Sequence, residues 1–499
     1  MKQLSSLIFE FSSILSSFVL VIILAGCSVK PEENRPNILF CISDDQSWLH
    51  TGAMGDPVVK TPAFDKVARE GILFTNAYCD APSCGPSRSA ILTGQHIWRL
   101  EEAGNIHSIL PEKFPRYPDL LENAGYVTGS CSKGWSPGKF KNDTGWVHSG
   151  QSKDNPAGKR YRSFKEFFRA KPQDQPFCFW LGSTDAHRDY KLNSGLESGM
   201  DPSKVRVPEH LPDDPIVRKD ILDYYYEVER WDTTVWKALT VLEEAGELEN
   251  TLVVITSDNG MPFPRAKATL YDYGSHMPMA ISWPSKIAKP GRKYEGFIHL
   301  SDLAATFLEA AGLEIPDEMT AKSLMDVFYG LEKKPRESAY TAMERHDGCR
   351  IGGKGYPCRA LRTADYLFIR NYEPDRWPSG NPDAKFCARA IPYGEVDSSP
   401  TKTLMMENEE GLKEYYNLSF GMRRHEELYD LKVDPGQINN VAGLEKYAEV
   451  KEKLSKQLQA YTSETGDPRA LGEFAPWDYY AYYGAMRNKH GWKVNDRPQ

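Results

Sequence analysis

Asn37-Ile38-Leu39-Phe40-Cys41-Ile42-Ser43-Asp44-Asp45 is a short, uncharged, mostly apolar run that ends in two carboxylates. Such a run reads as a strand buried on both faces. Asp44 and Asp45 then stand at its C-terminal end, where open parallel sheets place their ligands. Further strand-like runs follow at 126–128, 177–181 and 252–256. Helical spacing with turn or capping residues in front predicts helices over 62–70, 86–93, 117–124, 221–247 and 302–311. Strands alternating with helices predict an α/β domain with a large, mostly parallel central sheet between helices.

From about Glu337 the texture changes to Gly, Pro and charged residues with short strands such as Tyr366-Leu367-Phe368-Ile369. This predicts a smaller C-terminal α+β domain over 337–499, completing a substrate pocket begun by a catalytic domain over 36–336. A last helix is expected over 444–463. The aromatic tail, Trp477 with Tyr479, Tyr480, Tyr482 and Tyr483, is read as packing rather than as a sugar platform, because large aromatics bury area.

The chain has 499 residues, room for a sizeable core. Its formal net charge of −8 argues against a nucleic-acid partner, which wants a basic face. Anionic substrates stay open, provided local cations or a metal set the potential of a pocket. Residues 6–26 are apolar and hydroxyl-rich behind Lys2, the pattern of an export signal. The ending Leu24-Ala25-Gly26-Cys27 resembles a bacterial lipobox, which implies a signal peptide over 1–26, diacylation of Cys27, and a polar tether over 27–35. The competing reading is an uncleaved anchoring helix; either one ties an exported chain to a membrane, the bacterial cell membrane or the outer membrane, facing the periplasm or the cell surface.

Of nine cysteines, Cys41, Cys131 and Cys178 sit in apolar runs and read as small buried hydrophobes. Cys349 and Cys358 flank a glycine-rich loop and are candidates for a disulfide in an oxidising compartment. Cys84 is different. It opens Cys84-Gly85-Pro86-Ser87-Arg88-Ser89-Ala90-Ile91-Leu92-Thr93-Gly94, on the first turn of a predicted helix, where unpaired N–H groups and a partial positive charge perturb thiol chemistry and hold anions. Ser257-Asp258-Asn259-Gly260 closes a second strand. With Asp44 and Asp45 it offers four oxygen ligands, a set that suits a hard divalent cation: calcium first, magnesium second, and not zinc.

The run Cys-x-Pro-Ser-Arg-x-x-x-Leu-Thr-Gly resembles the signature of type I, formylglycine-dependent sulfatases, and the resemblance extends over most of the chain. It implies an alkaline-phosphatase-like fold. It also implies that Cys84 is oxidised by a formylglycine-generating or anaerobic maturation enzyme, and that Asp44, Asp45, Asp258 and Asn259, with the modified Cys84, bind one calcium ion. By the same resemblance Arg88 steadies the nucleophile, Lys133 and Lys267 bind sulfate, and His187 contacts sulfate or protonates the leaving group. The stretch from Ser257 to Tyr271 and Thr465-Gly466-Asp467-Pro468-Arg469 look particularly like the sulfamidase (heparan N-sulfatase) branch, which includes bacterial polysaccharide O-sulfatases.

The implied activity is hydrolysis of sulfate esters on sugars of a sulfated polysaccharide or oligosaccharide, an algal glycan such as ulvan or carrageenan or a glycosaminoglycan. Candidate sugar-binding residues are Asn105, His107, Arg188, Arg359 and Arg362. One departure stands out: many sulfatases carry a histidine shortly after the lysine matched by Lys133, where this chain has Trp135 and Ser136. The base that expels sulfate then falls to Lys133, to another histidine such as His107, or to Asp185. Alternative readings are a phosphomonoester or phosphodiester hydrolase on the same scaffold, and a catalytically inactive glycan-binding lipoprotein.

Overall fold

The computed structural model describes residues 35–150 and 152–485. The predicted signal peptide 1–26, the lipidation site Cys27 and the tether up to residue 34 lie outside the described residues. Among the described residues, no helix is long and apolar enough to cross a membrane.

Nine strands form the main sheet: β1 (Asn37–Ser43), β2 (Ile72–Tyr78), β3 (Val127–Cys131), β4 (Arg160–Tyr161), β5 (Phe177–Gly182), β6 (Thr251–Ser257), β7 (His276–Ser282), β8 (Arg292–Tyr294) and β9 (Ile298–His299). They lie in the order β8-β2-β7-β6-β1-β5-β3-β4, with β9 also paired to β2. The centre is parallel, β6-β1-β5-β3, and β7 runs antiparallel to both of its neighbours. All seven residues of β1 are buried, as its uninterrupted apolar sequence requires for a strand covered on both faces.

The pleat of β1 divides the core. Ile38, Phe40 and Ile42 point into one layer, which holds helix α5 (Asp302–Ala310) with Leu303, Phe307 and Leu308. Leu39 and Cys41 point into the other, filled by α1 (Pro62–Glu70), α3 (Phe164–Ala170) and α4 (Pro215–Ala245). Phe40 meets Trp180 of β5 edge-on, with ring centroids 4.8 Å apart. Cys41, Cys131 and Cys178 are buried free thiols in these layers. Helix α2 (Cys84–Thr93) is buried at every residue. It ends at Gly94, whose φ of 63° lies in the left-handed region and whose N–H bonds Ala90 O; a side chain there would strike Met319.

A second, antiparallel sheet begins at Ser338. It comprises β10 (Ser338–Met343), β11 (Cys358–Thr363), β12 (Tyr366–Asn371) and β13 (Glu426–Asp430) in sequential order. Helix α6 (Ala448–Glu464) covers it through Leu454 and Leu458, joined by Trp477 and Tyr480 of the aromatic tail. Trp477 is buried and donates its indole N–H to Glu101 O, a packing role. The cysteine pairing expected across the glycine-rich loop is corrected. Cys349 and Cys358 are both free thiols; Cys358 lies within β11, and Cys349 sits against Cys387 instead.

Candidate active site

Parallel pairing in register builds the site. Ser43 lies opposite Ser257, so the residues that follow each strand, Asp44-Asp45 and Asp258-Asn259, emerge side by side. Asp258 Oδ1 accepts from the backbone N–H of Asp45 at 3.1 Å, and Asn259 Nδ2 donates to Asp45 Oδ1 at 2.6 Å. Asp45 takes a φ of 62°, a left-handed conformation that a non-glycine residue holds only when its surroundings enforce it. On the other side β5 hands the chain to Thr184, whose C=O accepts from the N–H of His187.

Oxygen atoms of Asp44, Asp45 and Asp258 and the sulfur of Cys84 lie within 4.8 Å of one another, all buried. The Cys84 thiol points at Asp45 Oδ1, 3.7 Å away. Asn259 Oδ1 is buried and has no hydrogen-bond partner. A buried amide oxygen without a donor costs about 1–3 kcal/mol, a cost removed if it ligates a cation. Three carboxylates plus that oxygen are the donor set of a hard ion, so these residues fit calcium or magnesium.

Three cations surround the acids. Arg88 Nε donates to Asp258 Oδ2 at 2.7 Å, and its Nη1 donates to the carbonyls of Lys133 and Gly134 at 2.8 Å each. Lys133 Nζ bonds both oxygens of Asp44, at 2.6 and 2.7 Å. Lys267 Nζ bonds Asp45 Oδ2 at 2.7 Å and Asp397 at 3.3 Å. Burial favours neutral Asp44, but Lys133, His187 and Arg88 win and hold its carboxyl below the usual range. Burial likewise opposes the charged ammonium of Lys267, yet Asp397 and Asp45 raise its pKa well above the ordinary value. Burial pushes the Cys84 thiol up despite both lysines, so the unmodified side chain is a protonated, poor nucleophile.

A cavity of about 430 Å³ opens onto this cluster, lined by Asp44, Cys84, Lys133, His187 and Lys267. His187 is the most accessible of them, with its side chain 31 % exposed and Nε2 3.9 Å from Asp45. The structure thus gathers Cys84, Arg88, Lys133, His187 and Lys267 around Asp44, Asp45, Asp258 and Asn259.

The residues read as sugar-binding divide. His107 borders the cavity, its imidazole pKa lowered to about 4 by burial. Asn105 is spent on the backbone, donating to Trp477 O and accepting from Arg345 N. Arg188 grips Asp220 through two nitrogens, at 2.7 and 2.9 Å. Arg359 bridges Asp467 and Glu344, and Arg362 pairs with Asp272. None of those three arginines lines the cavity, so the expectation that they read sugar is corrected: their charges are neutralised inside the protein.

Trp135, in the segment after Lys133, is buried and donates its indole N–H to Ser89 of α2 at 2.8 Å. Asp185 faces Arg230 rather than the cavity. Three residues of the site are not singled out by the sequence: His346, whose Nδ1 lies 2.8 Å from Ser83 Oγ, and Arg389, both of the wall, and Asp397, which pairs with Lys267. All three sit in irregular segments without motif or period, and a local signal existed only in the clustering of charge at Glu344-Arg345-His346-Asp347.

Comparison with known proteins adds two family matches. Residues 36–313 match the family described as Sulfatase, and residues 265–378 match that described as N-sulphoglucosamine sulphohydrolase, C-terminal. An "Ulvan-active sulfatase" of Formosa agariphila is 27% identical over 435 residues, covering 87% of this chain and 81% of the relative. The human "N-sulphoglucosamine sulphohydrolase" is 28% identical over 497 residues, covering 90% and 93%. A solved protein in complex with its substrate D-glucosamine-2-N,6-O-disulfate superposes with a TM-score of 0.61 at 20% identity, covering 87% of this chain and 98% of that one.

Proposed function

Because the chain belongs to the sulfatase family and is a sulfuric ester hydrolase, we propose that it cleaves sulfate esters from sugars of a sulfated polysaccharide or oligosaccharide at the cavity over Cys84. The observation that carries this reading is the convergence of Cys84, Lys133, His187 and Lys267 on Asp44, Asp45 and Asp258 in one cavity. The names of the relatives, which act on ulvan and on N-sulphoglucosamine, favour an algal glycan or a glycosaminoglycan.

In this reading Cys84 is the precursor of formylglycine, installed by a separate maturation enzyme, and supplies a hydrated aldehyde able to attack sulfur. Asp44, Asp45, Asp258 and Asn259 would hold one calcium ion, which supplies charge neutralisation at the sulfate oxygens. Lys133 and Lys267 bring fixed positive charge to the rim of the acid cluster, where the sulfuryl group must sit. Both are held by carboxylates, so little reorganisation is needed as charge spreads over the oxygens. Arg88 is turned inward, fixing Asp258 and the Lys133 segment. His187, partly open to solvent, is the group placed to hand a proton to the departing sugar oxygen, with its Nδ1 kept near Arg188 O at 2.5 Å. His107, a wall residue whose imidazole burial keeps neutral, is assigned to accept a proton when sulfate is expelled, because, against burial, Asp44 holds Lys133 as a cation.

We also take 36–336 as the catalytic domain and 337–499 as a smaller domain that closes the cavity. The support is that His346 and Arg389 line it from the C-terminal side and Asp397 pairs with Lys267. Export and lipid anchoring through Cys27 are part of the proposal and rest on the Leu24–Cys27 motif; mass spectrometry of the N-terminal peptide from native membranes tests them. Activity is tested by incubating matured enzyme with defined sulfated oligosaccharides, an aryl sulfate and an aryl phosphate. Release of sulfate from an oligosaccharide is the expected result. Release of phosphate alone would turn the reading to a phosphoester hydrolase, and binding without turnover to a glycan-binding lipoprotein.

A further inference from the structure

A second cavity, of about 620 Å³, adjoins the first. The two share Ser132 and Thr184, in the loops that follow β3 and β5, as lining residues. Its walls carry four cations: Arg162 and Lys165 near the start of α3, and Arg230 and Lys237 on the outward face of α4. Two acids stand against them. Asp185 is engaged by Arg230 at 3.7 Å, and Arg230 is fixed further by Glu227 at 2.5 Å; the other acid is Glu244. The side chains of Arg162, Lys165 and Lys237 are exposed and make no ion pair among the described residues.

This is a reversal of sign on a protein whose formal net charge is −8. Arg188, Arg359 and Arg362, by contrast, have largely buried side chains and spend their charge on carboxylate partners. Unpaired, exposed cations clustered in a concave surface beside a catalytic cavity leave their positive charge to an incoming anion. A single sugar seated by its sulfate at Lys133 and Lys267 occupies the first cavity. Ser132 and Thr184, which belong to both linings, are the border that a longer chain would cross to reach the second.

We propose that this groove is a subsite for an anionic group, sulfate or carboxylate, on a sugar unit beyond the one being desulfated, so that the preferred substrate is a charged oligosaccharide rather than a monosaccharide. The inference rests on the sulfated-glycan reading of the catalytic cavity. It implies that affinity rises with chain length and that the gain is lost to salt, because the cations are exposed and screened.

The test compares the wild type with Arg162→Gln/Lys165→Gln/Lys237→Gln, three exposed changes whose folding is checked by thermal melting. Binding of a sulfated monosaccharide and of sulfated tetrasaccharides prepared from ulvan and from heparan sulfate is measured by calorimetry at low and high salt. Turnover of an aryl sulfate is measured in parallel. The wild type should bind a tetrasaccharide about tenfold or more tighter than the monosaccharide at low salt, as expected when a second contact becomes intramolecular. The triple variant should lose that advantage while its aryl-sulfate kcat/KM is unchanged. No chain-length preference in the wild type, or an undiminished one in the variant, would overturn the subsite. Absence of aryl-sulfate turnover, with charge-dependent tetrasaccharide binding intact, would instead count against the sulfatase reading and leave the groove standing.

Discussion

Two sets of buried cations divide this molecule. Arg88, Lys133 and Lys267 pair with Asp258, Asp44 and Asp45; Arg188, Arg359 and Arg362 pair with Asp220, Asp467 and Glu344, and Asp272. By distance and burial the two sets are alike, so an ion pair alone does not mark a functional centre. The difference lies in what the acids do. In the first set they crowd within 4.8 Å of one another and of Cys84, which strands several like charges together and leaves room for a divalent ion. In the second set each acid is matched inside the protein and borders no catalytic cavity. Repulsion tolerated among carboxylates is the sign of function here, and balanced pairing is the sign of architecture.

The sharpest way to break this contrast is to remove a lysine from the first set. Lys133→Ala should lower kcat/KM on an aryl sulfate by about 10²–10³, the usual loss for one preorganised contact to developing charge, while the protein still folds. Next comes removal of the ion: treatment with a chelator should abolish most turnover and lower the melting temperature, and calcium should restore both more completely than magnesium.

The second set should respond in the opposite manner. Arg359→Met leaves Asp467 and Glu344 buried without their partner, although Arg469 still pairs with Glu344. A loss of about 3–5 kcal/mol of stability is expected in denaturant titrations, with turnover per folded molecule unchanged.

Arg362→Met should cost less, about 1.5–3 kcal/mol, and in a pH-dependent way. Burial favours the neutral form of Asp272, but Arg362 prevails and holds its carboxyl below the ordinary range. A depressed carboxyl stabilises the fold above the unfolded-state pKa of about 3.9, and that stability is lost as pH falls through the folded-state pKa. The gap between wild type and Arg362→Met should therefore be widest near neutrality and narrow below about pH 4.

The same contrast explains how much could be read from the chain. The strand 37–43, the acids that end it and the helix over 62–70 were legible because buried parallel strands and capped helices carry their own period and punctuation. Cys84, Asp258 and Asn259 were legible because a motif fixes several residue types within a few positions. Arg188, Arg359 and Arg362 misled, since nothing local tells an arginine bound to a distant carboxylate from one facing a ligand. His346, Arg389 and Asp397 were hidden for the same reason: their position depends on how irregular segments of the C-terminal side fold over the strand ends. Trp135 also needed the structure, where its bond to Ser89 shows why the position is filled by packing rather than by an imidazole.

Release of inorganic sulfate from a sulfated oligosaccharide by matured wild-type protein and by Cys84→Ala decides whether position 84 supplies the nucleophile. Turnover by the wild type is expected, with an aldehyde in place of the thiol in its Cys84 peptide, and a fall to background in the variant. Sustained sulfate release by Cys84→Ala, or by wild-type protein whose Cys84 is an intact thiol, would contradict that role.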